Sequence, residues 1–346
     1  SGTDALHLAY ILANIKKNDE VIAPVFTCTA TNIPLLYIGA KIKFADIDPN
    51  TFNIDPEDIR RKITKKTKAI MPVSLYGLSC DLDPIMAIAK EYGIGVVNDA
   101  AEAFGSMYKG KKISTIADIT SYSTENSKHI TTGDGGIVVT NNEEFAVSMR
   151  KFNSLGYAVM KSGDGRIRTN KNIFQDPEYK RHDELGLNYR MPEVAAALGL
   201  AQTERLEYFI NLRINIANMF DKVTGNCDYL VPQYTPDGYT NSFWSYVVKF
   251  EREDVSWKEF RDKYNELGGD GIYAAWVLSY EETVMSSGVY KRQAPHYYKN
   301  VDYTKGICPV AEELQPKLMQ FVTNYGSVED AKPFVDALEK TINYFS

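Results

Sequence analysis

Ile119-Thr120-Ser121-Tyr122-Ser123-Thr124-Glu125-Asn126-Ser127-Lys128-His129-Ile130-Thr131-Thr132-Gly133-Asp134-Gly135-Gly136 reads as a short strand ending in a polar turn, then a glycine cluster that opens into a second strand, Gly136–Thr140. The turn holds one lysine among small residues. An amine shielded from water at a strand end sheds its proton more readily and suits Schiff-base chemistry. The same letters also describe an exposed turn lysine beside a glycine-rich hairpin, because glycine and small polar residues dominate ordinary turns.

Upstream, β-branched runs at Glu20–Ala23, Lys43–Asp46, Ala69–Val73 and Gly95–Asn98 alternate with helical-period segments at Thr29–Tyr37, Pro56–Ile63 and Leu82–Tyr92. Asp55-Pro56 and Asp81 stand where helix N-termini begin. This alternation is the pattern of βαβ units over a mostly parallel sheet. The runs are apolar rather than alternating, which suits strands covered on both faces. Downstream, Lys161–Glu184 is polar and reads as a long loop, and Met191-Pro192-Glu193 opens a helical run to about Lys222. Beyond Gly225 the pattern changes to a Pro/Tyr/Gly-rich connection, a strand at Ser245–Phe250, a helix from Ser256 to Leu267 and a closing helix over Val328–Phe345. These features predict a large domain over 1–222 and a smaller C-terminal α/β domain over 223–346. The chain opens on Ser1-Gly2-Thr3-Asp4 directly at a helix start, with no leader pattern, so further residues upstream are expected.

The 346 residues are 44% hydrophobic and 24% charged, which fits a globular chain and excludes wholesale disorder. Lys and Arg number 39 against 45 Asp and Glu, a formal charge of −6. No basic run marks a nucleic-acid face, and no apolar stretch approaches the ~18 residues of a membrane span. Cys28, Cys80, Cys227 and Cys308 are scattered, with no CxxC pair, so a reduced, cytoplasmic protein is expected. No GxGxxG follows the first strand, and GxxxxGK[ST], HExxH and GxSxG are absent. Rossmann, P-loop, zincin and hydrolase-elbow chemistry therefore lack their motifs, and His7, His129, His182 and His296 show no ligand spacing, so no metal is expected.

Two further segments bear on the lysine. In Val96-Val97-Asn98-Asp99-Ala100-Ala101-Glu102, Asp99 falls at the carboxyl end of a strand, where open α/β sheets bind ligands. There it could hold a heteroaromatic nitrogen protonated, or it could simply cap a helix. Ser1-Gly2-Thr3 at a helix start offers backbone N–H groups and hydroxyls to a phosphate, or ordinary capping. A phosphate cradle, a carboxylate for a ring nitrogen and an amine for an aldehyde are the three handles of pyridoxal 5'-phosphate.

Six ordered segments carry a family resemblance: Ser1–Ala9 (SGTDALHLA), Asp19–Pro24 with Thr27 and Ala30-Thr31, Gly39–Asp48, Leu75-Tyr76-Gly77, Asp99–Ser106 (DAAEAFGS) with Tyr108–Lys111, and Ser123–Gly136 with Gly186–Met191. In these the sequence resembles the DegT/DnrJ/EryC1/StrS family of fold-type I, pyridoxal-phosphate-dependent sugar aminotransferases. The resemblance implies an α/β, aspartate aminotransferase-like fold, with a mostly parallel seven-stranded sheet between helices in the cofactor-binding large domain. Lys128 would be the Schiff-base lysine and proton carrier, Asp99 the partner of the pyridine nitrogen, and Glu102 a neighbour of the phenolic oxygen. Gly2, Thr3 and Ser123 match phosphate-binding positions. Asn188 would reach the neighbouring subunit's phosphate, which implies a homodimer with shared sites. The implied reaction moves an amino group, from glutamate, to a keto group of a nucleotide-linked deoxysugar in polysaccharide, glycan or antibiotic-sugar synthesis.

The sequence departs from the family pattern at Cys28, where many members carry an aromatic that stacks on the cofactor, and at Ser74, where many have His. A branch of the family with His for the lysine performs dehydration, and His129 is adjacent. Counting five residues on from Ser123 and five back from Gly133 both give Lys128, which favours transamination. A cofactor-binding regulatory protein is the third reading. Tyr189, Tyr273 and Tyr297 are candidate carbohydrate contacts, or core and surface residues.

Overall fold

The structure, a computed structural model, describes residues 1–160, 171–293 and 303–346. Tyr297, His296 and the first ten positions of the Lys161–Glu184 loop lie outside the described residues. Helix and strand alternate through the first half: α1 (Gly2–Leu12), β1 (Glu20–Pro24), α2 (Ile33–Ile38), β2 (Lys41–Ala45), α3 (Pro56–Lys62), β3 (Thr67–Ile70), α4 (Leu82–Tyr92) and β4 (Gly95–Asp99). A small hairpin, β5 (Met107–Tyr108) and β6 (Lys111–Lys112), leads to β7 (Ile119–Ser123), β8 (Gly136–Val139) and α5 (Glu143–Phe152). Then come α6 (Lys171–Gln175), α7 (Glu193–Glu204), α8 (Leu206–Thr224), β9 (Leu230–Pro232), β10 (Ser245–Phe250), α9 (Trp257–Glu266) and β11 (Tyr273–Ala274). The chain closes with α10 (Thr283–Ser286), α11 (Val289–Gln293), α12 (Pro309–Leu314), β12 (Leu318–Val322) and α13 (Val328–Phe345).

The large sheet runs β2-β1-β3-β4-β7-β8, parallel throughout except for the antiparallel pair β7–β8. It has six strands among the described residues where the resemblance implied seven, because β8 bonds to β7 alone and ends the sheet. Four of the five residues of β1 and of β4, and all five of β7, are buried, as strands covered on both faces require. On one face Ile59, Ile85 and Ile88 of α3 and α4 pack against Ile22, Ile70 and Val96. On the other, Leu6, Leu8 and Leu35 of α1 and α2 meet Val21, Ala23, Val97 and Ile119, and Leu278, Tyr280, Cys308 and Leu314 return to this same cluster. A second, antiparallel sheet, β11-β12-β10-β9, is backed by α8, α9 and α13 through Phe220, Phe260 and Leu338.

Three local expectations change. Pro34 lacks an N–H, so Thr29–Tyr37 divides into a 3₁₀ turn at Thr29–Thr31 and α2. The run from 193 to 222 breaks at Arg205, whose backbone leaves the helix (φ −105°, ψ 6°). Asp81 precedes α4 but does not cap it with its side chain; its Oδ1 instead accepts from the hydroxyls of Tyr108 (2.6 Å) and Tyr239 (3.2 Å).

Candidate active site

Because β1, β4 and β7 run parallel, their carboxyl ends share one edge of the sheet, where the N-terminus of α1 meets them. A cavity of about 270 Å³ opens there, and its lining includes Gly2, Thr3, Cys28, Asp99, Glu102, Ser123 and Lys128. Residues up to 126 positions apart in the sequence thus converge on one space.

Asp99 is the last residue of β4, and no helix follows it, so the capping role is not the one it plays. Its Oδ1 accepts from the Ala101 N–H (3.0 Å) and its Oδ2 from the Thr31 hydroxyl (2.9 Å). Thr31 is itself fixed: its hydroxyl lies 3.0 Å from that of Thr27, and its carbonyl accepts from the Tyr10 hydroxyl (2.9 Å). Burial pushes the Asp99 carboxyl above its ordinary value, while the Ala101 and Thr31 donors and the charge of Lys128 oppose that rise. No Lys, Arg or His nitrogen stands within 4 Å of it among the described residues.

Lys128 is not an exposed turn lysine. Its side chain is 13% exposed, its Nζ donates to Glu102 Oε1 (3.3 Å), and the same nitrogen lies 4.5 Å from the Trp244 ring centre. Glu102 is buried, and its Oε2 accepts from the backbone N–H of Tyr76 (3.0 Å). Burial raises the Glu102 carboxyl, and the nearby Lys128 charge pulls it back. The cavity therefore holds two buried carboxylates and one amine. That balance leaves room for one more buried positive charge.

Ser1 does cap α1: its hydroxyl accepts from the Asp4 N–H, and the Asp4 carboxylate accepts in return. The first N–H groups of a helix have no partner within it and so face the cavity's polar end. A side chain at Gly2 would begin 2.7 Å from Ser123 Cβ, so glycine is what lets α1 press against the end of β7. The Ser123 hydroxyl, on that strand end, completes an anion cradle with the α1 N-terminus. An unpaired buried carboxylate, a shielded amine and this cradle fit the ring nitrogen, aldehyde and phosphate of pyridoxal 5'-phosphate.

Cys28 lines the cavity with no aromatic in its place, and burial pushes its thiol up. Ser74 is buried and donates to Asn98 Oδ1 (3.2 Å). Asn188 is not brought to this cavity. It lines an adjoining one of about 360 Å³ with Asp4, Arg150, Asn153 and Arg190. His129 is buried away from the cavity, with its Nε2 on the Ser242 carbonyl (3.0 Å). Tyr189 pairs with His7 Nδ1 (2.8 Å) and Tyr273 is exposed on β11, so neither lines the cavity. Thr27 and Thr31 entered the family resemblance without a role, although their hydroxyls lie side by side, and Tyr10 was not singled out. Nor were Trp244 and Arg213, for which no local pattern exists.

A mostly parallel sheet with a lysine, an aspartate and a helix N-terminus gathered at its strand ends is the architecture of the fold-type I pyridoxal-phosphate-dependent enzymes. Residues 1–324 match the DegT/DnrJ/EryC1/StrS aminotransferase family, and the chain belongs to it. It is 42% identical over 222 residues to a GDP-perosamine synthase of Escherichia coli O157:H7, covering 64% of this chain and 56% of that protein's length. It is 32% identical over 326 residues to a pleiotropic regulatory protein of Geobacillus stearothermophilus, covering 93% of this chain and 81% of the relative. The solved aminotransferase of Psychrobacter cryohalolentis superposes with a TM-score of 0.85 at 26% identity, over 99% of this chain and 86% of that one. Members of the family depend on pyridoxal phosphate.

Proposed function

We propose that this chain is a sugar aminotransferase that takes an amino group from glutamate and places it on a keto group of a nucleotide-linked deoxysugar, for polysaccharide synthesis in the cytoplasm. The observation that carries the reading is that Lys128, and not His129, stands in the cavity with Asp99 and Glu102. The resemblance to a GDP-perosamine synthase supports the sugar substrate.

Pyridoxal phosphate supplies an aldehyde to receive amines and a ring that takes up electrons. Lys128 would hold that aldehyde through Nζ, and the same amine, placed in the cavity, would be the base that takes a proton from the donor's α-carbon and the acid that returns one to the sugar carbon. Asp99, buried and without a cationic partner among the described residues, would hold the ring nitrogen protonated. The α1 N-terminus and Ser123 would hold the phosphate, and Glu102 accepts from Nζ and would keep it in place.

We further infer a homodimer. The helix α7 is apolar yet has no buried residue, with Val194 84% and Leu200 64% exposed, and Asn188 just before it faces outward. A second copy covering that face would bring Asn188 to its neighbour's phosphate cradle.

The test is spectral. The yellow cofactor-loaded protein should lose its colour with glutamate and regain it with a nucleotide keto sugar, and Lys128→Ala should lose all turnover. Near-normal turnover in that variant would contradict the assignment. The Geobacillus relative's name favours a second reading, a cofactor-binding regulatory protein. A yellow protein that no amino acid bleaches would support it.

A further inference from the structure

The turn that carries Lys128 is tied to the second sheet at three successive residues. The Trp244 Nε1–H donates to the Ser127 carbonyl (2.9 Å), Arg213 Nη2 to the Lys128 carbonyl (3.2 Å), and His129 Nε2 to the Ser242 carbonyl (3.0 Å). Arg213 joins two of these ties, because its Nη1 also donates to the Trp244 carbonyl and to the Thr323 hydroxyl, both at 3.0 Å. Thr323 follows β12 and in turn donates to the Phe243 carbonyl (2.6 Å). The guanidinium thus gathers acceptors from the lysine turn, the start of β10 and the end of β12.

Arg213 is 3% exposed and has no carboxylate within 4 Å among the described residues, an uncommon setting for a charge. Burial pulls it down to about 10. A planar fork with five donors can serve three separate segments at once, which an ammonium cannot do in the same geometry. A buried cation kept for packing alone would be replaceable by an apolar side chain of equal size at little cost. Its use here is geometric.

We propose that Arg213 is a positioning residue: with Trp244 it fixes the 127–129 backbone to the second sheet, so that the Lys128 amine is held aimed into the cavity. The inference rests on the reading of Lys128 as the Schiff-base lysine. Trp244 contributes twice, since its N–H anchors Ser127 while its ring face lies against Nζ. Anchoring both sides of one residue removes backbone freedom that the long lysine side chain would otherwise amplify at its tip.

The experiment compares cofactor-free wild type, Arg213→Met and Trp244→Phe. One measurement is the rate at which pyridoxal phosphate bonds to Lys128, followed by visible absorption and by borohydride trapping of the Lys128 peptide. The other is the equilibrium affinity for pyridoxamine phosphate, which lacks the aldehyde and forms no such bond. Arg213→Met is expected to slow bonding about tenfold and Trp244→Phe about threefold, with pyridoxamine phosphate affinity within about twofold of wild type. Bonding at the wild-type rate in Arg213→Met overturns the proposal, and so does a proportional loss of both measurements, which a merely structural role would give. If Arg213→Met does not fold, Trp244→Phe decides alone, and a wild-type rate there overturns it. Wild type that fails to trap at Lys128 refutes the reading beneath it instead, so the two failures are distinguishable.

Discussion

Replacing Asp99 by Asn should separate function from stability, moving the two in opposite directions. The swap is nearly isosteric, and the surroundings can accept it. The new amide oxygen takes the Ala101 N–H, its NH₂ donates to Thr31 Oγ1, and the Thr31 hydroxyl turns to Thr27, 3.0 Å away. No buried polar group is stranded. In the native chain, burial holds the carboxyl above its ordinary 3.8, so between that value and the raised one the folded state binds more protons than the unfolded. Stability then falls as pH rises through this window, and at neutral pH the ionised Asp99 lowers the stability of the cofactor-free fold. Asn removes that cost, so the cofactor-free variant should melt at the wild-type temperature or above at pH 7, with the gap closing below the ordinary carboxyl value. Function goes the other way. On the proposed role, Asp99 would be one half of a buried charge pair with the bound cofactor, and removing one half of such a pair costs about 3–5 kcal/mol. Applied to the half-reaction with glutamate, that predicts a fall of roughly 10²- to 10⁴-fold. The assay is single-turnover bleaching of the visible absorption beside thermal unfolding of the cofactor-free protein. Bleaching within about fivefold of wild type would refute the reasoning, as would a clearly less stable cofactor-free variant.

A methyl at Gly2 would begin 2.7 Å from Ser123 Cβ, and overpacking of this kind costs about 1–3 kcal/mol, so Gly2→Ala should weaken cofactor affinity about 5- to 150-fold by fluorescence titration. His129 is held well below its ordinary 6.5, first by burial and then by the Arg213 charge. The folded state therefore binds fewer protons than the unfolded as pH falls below that value. Melting temperature should drop from pH 7 to pH 5, and His129→Gln should flatten that part of the profile. Val194→Glu with Leu200→Glu places two charges on the exposed face of α7, and sedimentation should show the dimer replaced by monomer at micromolar concentration.

The legible part of the molecule was the part written in local order. β7, expected over Ile119–Ser123, was placed to the residue where an apolar run met a polar turn, and the start of α3 was placed by Asp55-Pro56, with Asp55 accepting from the Glu57 N–H, although the helix ends at Lys62, one residue short of the expected Ile63. Lys128 and Asp99 were within reach of such reading, because parallel strands deliver their carboxyl ends to one edge whatever lies between them, whereas Glu102 and Ser123 came from the family resemblance. Boundaries were lost where one residue overrode a period: Pro34 cut a helix in two, and Arg205 divided another.

The support beneath the site was illegible for a different reason. Tyr10, Thr31 and Asp99 form a chain across 89 residues, and Arg213 meets Lys128 and Thr323 across 85 and 110. Nothing in Leu212-Arg213-Ile214 distinguishes a buried guanidinium from one that rides in water on a helix. Only the packing of α8 against the second sheet decides it, and that packing is set by Phe220, Tyr246 and Phe321 meeting in another cluster. The residues proposed for the chemistry lie at or just beyond strand ends, where topology brings them together. Those proposed to aim it are set by how two sheets dock, and a charge buried among carbonyls without an acid is the observation that singles out Arg213.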